Sequence, residues 1–113
     1  MDNSNWLDGV DMAVTVCDRH GVIIYMNAQA GRTFAADGGK AMVGKNLMDC
    51  HPETSRQKIR VIMETGASNS YTIEKNGVKK MIHQAPWFQD GKMGGLVEFS
   101  MVIPERLPHF VRG

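Results

Sequence analysis

Apolar and polar residues alternate in short runs along much of this chain, and Gly, Asn and Asp punctuate the runs. The first pattern is different. Trp6, Leu7 and Val10 recur at helical spacing, with Ser4 or Asn5 available as N-cap, so residues 4–11 are predicted to form a short amphipathic helix ahead of the main domain. The apolar side of that helix needs cover, either from its own sheet or from a second copy. Within residues 12–18, Ala13-Val14-Thr15-Val16-Cys17 is rich in β-branched side chains and predicts a strand. Asp18-Arg19-His20-Gly21 supplies turn chemistry, and Val22-Ile23-Ile24-Tyr25-Met26 predicts a second strand, so the two should pair as an antiparallel hairpin.

Asn27 stands where it can cap a short helix over residues 28–34, and Asp37-Gly38-Gly39 interrupts the chain. Residues 40–50 read as a weaker helical stretch with Met42, Val43, Leu47 and Met48 as its apolar set. The clearest helix starts at Pro52, whose missing N–H suits the first helical position, and Glu53 complements the positive end of the dipole. Ile59, Ile62 and Met63 form its buried stripe at i, i+3, i+4, and Gly66 ends it as a C-cap glycine.

Three strands close the sequence. Tyr71-Thr72-Ile73-Glu74 alternates, Asn76-Gly77 is a strong hairpin signal because both residues tolerate positive φ, and Val78 to Ala85 is the partner strand, with Pro86 marking a bend or an edge. After the Asp90-Gly91 turn, Leu96 to Ile103 forms the last strand, with Val97, Phe99, Met101 and Ile103 on one face and Glu98 and Ser100 on the other. Pro104 and Pro108 keep residues 104–113 from continuing as strand or helix, which leaves an extended tail. The division is therefore residues 1–11 as an N-terminal helix, 12–103 as one domain and 104–113 as the tail. Strands joined by tight turns are antiparallel, and helices clustered between the second and third strands must cover one face. The fold class is α+β: a five-stranded antiparallel sheet with helices packed on one face and a cavity between them.

Composition narrows the function. Of 113 residues, 42% are apolar and 22% charged, as in ordinary globular domains. Thirteen basic and twelve acidic residues give a formal charge of +1, which supplies no broad attraction for nucleic acid or an anionic membrane. Two cysteines without CxxC spacing make no disulfide framework, the polar start is no signal peptide, and no apolar run approaches the ~20 residues of a membrane span, so a reducing, cytoplasmic setting is the default.

The segments Val14-Thr15-Val16-Cys17-Asp18 to Gly21, Ile24-Tyr25-Met26-Asn27, Val43-Gly44-Lys45-Asn46-Leu47 and Gly91 to Val97, in this order and spacing, resemble the PAS family over roughly residues 12–103. Cys50-His51-Pro52, at the mouth of the long helix, resembles a bacterial subgroup of sensory PAS domains. The resemblance implies a PAS/profilin-like fold, a role in signal transduction such as two-component signalling, and a ligand cavity between sheet and helices. One departure is Ser100-Met101-Val102-Ile103-Pro104, where many PAS domains run into a signalling helix; output is then expected to pass through a partner protein, or the chain is a fragment of a larger sensor. Oxygen-sensing members hold haem by a histidine on the long helix. Residues 53–65 contain none, so haem stays an unsupported option resting on His51 or His83. Photosensing members need a cysteine after the asparagine of Gly44-Lys45-Asn46; Leu47 stands there, which argues against a flavin adduct.

The candidate ligand-binding residues are Asn27, Phe34, Cys50, His51, Met63, His83, Trp87 and Phe99. Asn27 would hold the strand-to-helix corner, the histidines would donate hydrogen bonds, Trp87 would stack on a planar ligand, and the apolar residues would supply walls. Cys50 at a helix N-terminus can be a low-pKa thiol, or simply a small core filler. Nine methionines suit either an adaptable pocket or a soft core. A zinc site from Cys17, Cys50, His51 and His83 lacks supporting spacing, and no catalytic residues are assigned because paired carboxylates, phosphate loops and protease signatures are missing. The expected function is a non-catalytic sensory domain that binds a small ligand or a partner. The alternatives are a ligand-free module that homodimerises through the N-terminal helix and sheet face, a haem sensor, or a thiol-dependent enzyme using Cys50 and His51.

Overall fold

The computed structural model describes residues 5–113, so Ser4 as a helix cap lies outside the described residues. Helix α1 (Asn5–Gly9) leads into strands β1 (Ala13–Asp18) and β2 (Ile23–Met26). Helix α2 (Ala28–Thr33), three 3-10 turns (Ala35–Asp37, Gly39–Met42, Leu47–Cys50) and helix α3 (Glu53–Thr65) follow, and then β3 (Asn69–Lys75), β4 (Val78–Gln89) and β5 (Lys92–Val102). The strands form one antiparallel sheet in the order β2-β1-β5-β4-β3.

Local chemistry accounts for most of these elements. Asp18 closes the β1–β2 turn, its carboxylate accepting from the His20 and Val22 amides at 2.8 and 3.0 Å. Pro52 occupies the cap position of α3 rather than its first turn, and Gly66 ends the helix at φ 76° with its N–H on Ile62 O. Asn76 and Gly77 carry φ values of 54° and 77°, the left-handed pair that a two-residue hairpin between Lys75 and Val78 needs. Residues 40–50 form two 3-10 turns instead of a helix, because Gly44 at φ 96° divides them.

β4 runs on through Pro86, which pairs with Leu96. A proline is tolerated there because β3 ends opposite Gln84, so β4 has lost its neighbour on that side. The last strand starts at Lys92, earlier than its apolar alternation indicates, and includes Gly94 and Gly95. The Trp87 ring lies against Gly94, where a Cβ would overlap it, and its indole N–H donates to Cys17 O at 3.0 Å.

Two apolar clusters join the helices to the sheet. Ala13, Ile23, Met26, Ala30 and Met42 meet under α2, with Phe34 and Leu47 packed against them. Cys17, Leu96, Ile59 and Ile62 meet under α3, with Met48 and Met63 alongside. Burying each large aliphatic side chain stabilises the fold by roughly 1.5–3 kcal/mol. Because Cys17 pairs with Leu96, Thr15 with Glu98 and Ala13 with Ser100, the helix-covered face is the one bearing Leu96, Glu98 and Ser100, together with Ile82 and Gln84. Val97, Phe99 and Met101 point to the opposite face, as do Met81 and His83. α1 docks at the β2–α2 corner through Asp8, which accepts from Tyr25 Oη at 3.4 Å and pairs with Lys40 Nζ at 3.3 Å. Trp6 of α1 remains 70% exposed. In the tail, Leu107, Phe110 and Val111 are exposed.

Candidate functional site

α3 presents Ser55 and Lys58, three residues apart and therefore on one side of the helix, toward the strands beneath it. His51 stands on the extended residue before Pro52. Across from them Asn69 and Tyr71, two apart on β3, share a face with Gln84 of β4. These six residues enclose a cavity of about 170 Å³, room for roughly five waters. Beyond Lys58 and Asn69 a wider groove continues along α3 past Thr54, Gln57 and Val61.

The cavity floor is a polar ladder across three strands. Asn69 Nδ2 donates to Gln84 Oε1 at 3.1 Å, and Gln84 Nε2 donates to Glu98 Oε1 at 2.9 Å. Gln84 is only 5% exposed, so these bonds replace the water it gave up. Glu98 ends the ladder as an anion. Burial, with a smaller contribution from the Glu98 charge, raises the Tyr71 phenol above its usual pKa, so its O–H remains a donor. Burial likewise raises the Cys17 thiol, which keeps it protonated and a poor nucleophile.

The tautomer of His51 follows from its partner. Its Nδ1 lies 2.7 Å from Leu47 O, and a carbonyl only accepts, so Nδ1 carries the proton and the neutral ring keeps its Nε2 lone pair for another donor. The His51 carbonyl accepts from Arg56 Nε at 2.8 Å, which holds the corner in place. Lys58 enters none of the ion pairs among the described residues, which are Lys40–Asp8, Arg56–Glu53 and Arg60–Glu53. The site therefore offers a cation at its rim, hydroxyl donors on two walls and a ring nitrogen as an acceptor. That arrangement suits binding of a small polar molecule.

Of the described residues singled out from sequence, His51 alone lines this cavity. Asn27 is fully buried and holds the β2–α2 corner: Oδ1 accepts from the Val14 and Ala30 amides at 3.0 and 2.9 Å, and Nδ2 donates to Leu7 O and Met12 O at 3.0 and 2.8 Å. Its hydrogen-bonding capacity is filled by backbone. Phe34 packs under α2, and Met63 borders a separate hollow with Met48, Ile59 and Arg60. His83 and Phe99 pair across β4 and β5 on the face away from α3, where His83 Nδ1 shares a hydrogen bond with Ser70 Oγ at 2.6 Å. Trp87 is occupied by Gly94 and Cys17 O. The Cys50 side chain lies outside the described residues.

Ser55, Lys58, Asn69, Tyr71, Gln84 and Glu98 did not stand out in the sequence. The available signal was that Gln84 and Glu98 alternate in phase with Ile82, Leu96 and Ser100, so they become inward-facing once Leu96 is known to be.

Comparison with known proteins gives a consistent picture. The model of a family described as PAS fold matches residues 7–107. No curated protein sequence matches the chain. Among solved structures, a sensory box sensor histidine kinase from Vibrio cholerae is similar at 18% identity and TM-score 0.64, with 89% of each chain covered. The Vibrio cholerae VqmA dimer, described among LuxR-type receptors, is similar at 18% identity and TM-score 0.69, over 88% of this chain and 49% of that one. The Vibrio cholerae Aer2 receptor, described as a dual PAS-heme oxygen sensor, is similar at 17% identity and TM-score 0.60, over 87% of this chain and 99% of that one. At these identities the likeness concerns the fold.

Proposed function

Since the chain belongs to the PAS fold family, we propose that it is a non-catalytic sensory domain whose signal is a small polar molecule bound between α3 and the β3–β4–β5 face. The observation that carries this reading is the cavity walled by His51, Ser55, Lys58, Asn69, Tyr71 and Gln84, backed by Glu98. Lys58 and the Tyr71 hydroxyl suit a carboxylate or another acceptor-rich group, while the His51 Nε2 lone pair and the Asn69 and Gln84 amides at the floor suit a donor. A small zwitterion such as an α-amino acid meets both demands within about 170 Å³. Binding would favour the packing of α3 in which these walls close, and a partner protein would read the change. The sensor histidine kinase and receptor among the structural neighbours are consistent with such a role.

Haem fits this geometry poorly. α3 offers no histidine, and Ile59, Ile62, Leu96 and Cys17 fill the space under it that a macrocycle would need. The thiol-enzyme reading rests on Cys50, whose side chain lies outside the described residues, and on His51, whose Nδ1 is held by Leu47 O. A cytoplasmic setting agrees with a chain in which, among the described residues, no helix is long and apolar enough to cross a membrane.

A panel of small carboxylates and α-amino acids, scored by the rise in unfolding temperature, tests the proposal. At least one probe should stabilise the wild type, and Lys58→Met should weaken its binding by roughly tenfold, the loss of a charge-assisted hydrogen bond. No stabilising probe, or equal stabilisation of Lys58→Met, would count against it.

A second reading, homodimerisation through α1 and the outer sheet face, is favoured by the exposed Trp6 and Met101 together with half-buried Val97 and Phe99. It predicts a dimer that Trp6→Ala dissociates.

A further inference from the structure

The sheet has two edges, and they differ. At β2 the following loop lies alongside as a cover: Ile23 N–H donates to Lys45 O at 2.9 Å, Gly44 N–H to Ile23 O at 2.7 Å, and Leu47 N–H to Gly21 O at 2.7 Å. At β3 the six residues from Ser70 to Lys75 are all exposed, and among the described residues β4 is the only strand beside them. The β3–β4 register is regular from Asn69↔Gln84 to Lys75↔Val78, so no bulge turns the edge away, and β3 contains no proline. Long, regular, uncovered edges invite pairing with another strand.

We propose that β3 pairs antiparallel with β3 of a second copy of this chain, about a two-fold axis through Thr72, to give a continuous ten-stranded sheet. Backbone phase supports this centre. Lys75 and Val78 flank a two-residue turn and so form a hydrogen-bonded pair, which turns the backbone groups of Lys75, Ile73 and Tyr71 toward β4 and those of Glu74, Thr72 and Ser70 outward. With Thr72 opposite Thr72 of the partner subunit and Ser70 opposite Glu74 of the partner subunit, the outward groups meet one another in about six main-chain hydrogen bonds. The side chains agree with the same register. Tyr71 falls opposite Ile73 of the partner subunit, twice, as an aromatic–β-branched pair, and these are the exposed apolar residues of the strand. Glu74 faces Ser70 and Lys75 faces Asn69, so no like charges are opposed. Tyr71 also lines the cavity under α3, so its contact with the partner would couple that cavity to association.

Sedimentation over a concentration series, on the full chain, tests the edge. The wild type should be a dimer. Thr72→Pro removes an outward N–H without touching the β4 ladder, so it should give a monomer with an unchanged circular dichroism spectrum. Ser70→Glu places carboxylates opposite each other at two positions and should raise the dissociation constant by roughly tenfold, and adding Glu74→Lys should restore it through opposite charges. This rescue reads the register even if the proline variant fails to fold. A monomeric wild type, a dimer that survives Ser70→Glu unchanged, or one that dissociates only in Trp6→Ala would each overturn the proposal, and none of them bears on whether the cavity binds a ligand.

Discussion

Asn27→Ala should lose about 3–5 kcal/mol of stability in denaturant unfolding, a large part of what a domain of this size possesses. The amide ties together four backbone groups from three segments, with Oδ1 on two N–H groups and Nδ2 on two carbonyls. Truncation removes the α2 cap, worth about 1 kcal/mol by itself, and leaves the Val14 amide in the interior without its acceptor. Asn27→Asp distinguishes hydrogen bonding from packing. A carboxylate retains the acceptor role but cannot donate to Leu7 O or Met12 O, so it should be nearly as damaging despite its equal size. A loss under about 1 kcal/mol in either variant would mean that the corner is held by something else.

Gly95→Ala should be at least as severe, about 3 kcal/mol or more. Gly95 has φ 153° and pairs with Asp18, and a Cβ there would overlap the backbone of Cys17 and Asp18. Backbone in the middle of a sheet cannot yield without breaking the β1–β5 ladder. Gly94→Ala meets the Trp87 ring instead, and a side chain can swing aside at the cost of its bond to Cys17 O. The order of damage, Gly95 above Gly94, separates the two kinds of neighbour. Equal denaturation midpoints for Gly95→Ala and wild type would contradict the close approach of β1 and β5.

These two sites mark what can and cannot be read along the chain. Turn chemistry is local, so Asp18 to Gly21, Gly66 and Asn76-Gly77 declare their elements directly. Asn27 declares its capping role for the same reason, although its bonds to Leu7 and Met12 need the tertiary fold. Gly94 and Gly95 fall outside the apolar alternation that marks the strand from Leu96, because the cause of their presence in it is Trp87 and β1, which sequence does not place beside them. Pro86 reads as a bend or an edge, and that it is an edge depends on where β3 stops, which is a matter of register.

The cavity was harder still. Alternation along β5 separates Val97 and Phe99 from Leu96 and Glu98, and it does not say which set α3 will cover. The more apolar set is the natural choice, which is why His83 and Phe99 stood out. α3 covers the other, anchored by Leu96 against Ile59 and Ile62. Gln84 and Glu98 are tolerated under it because each satisfies the other, a pairing across 14 residues of sequence that exists only in the right register. His51 was legible because Pro52 fixes the start of α3 and puts the preceding residue at its mouth.

The central claim is that a polar ligand lies between α3 and the face of β3, β4 and β5. Amide and side-chain NMR shifts, followed while a stabilising carboxylate or amino-acid probe is added, test it most directly. Changes should concentrate at Ser55, Lys58, Asn69, Tyr71 and Gln84. Changes confined to Val97, Phe99 and Met101 on the opposite face, or no changes with any probe, would contradict it.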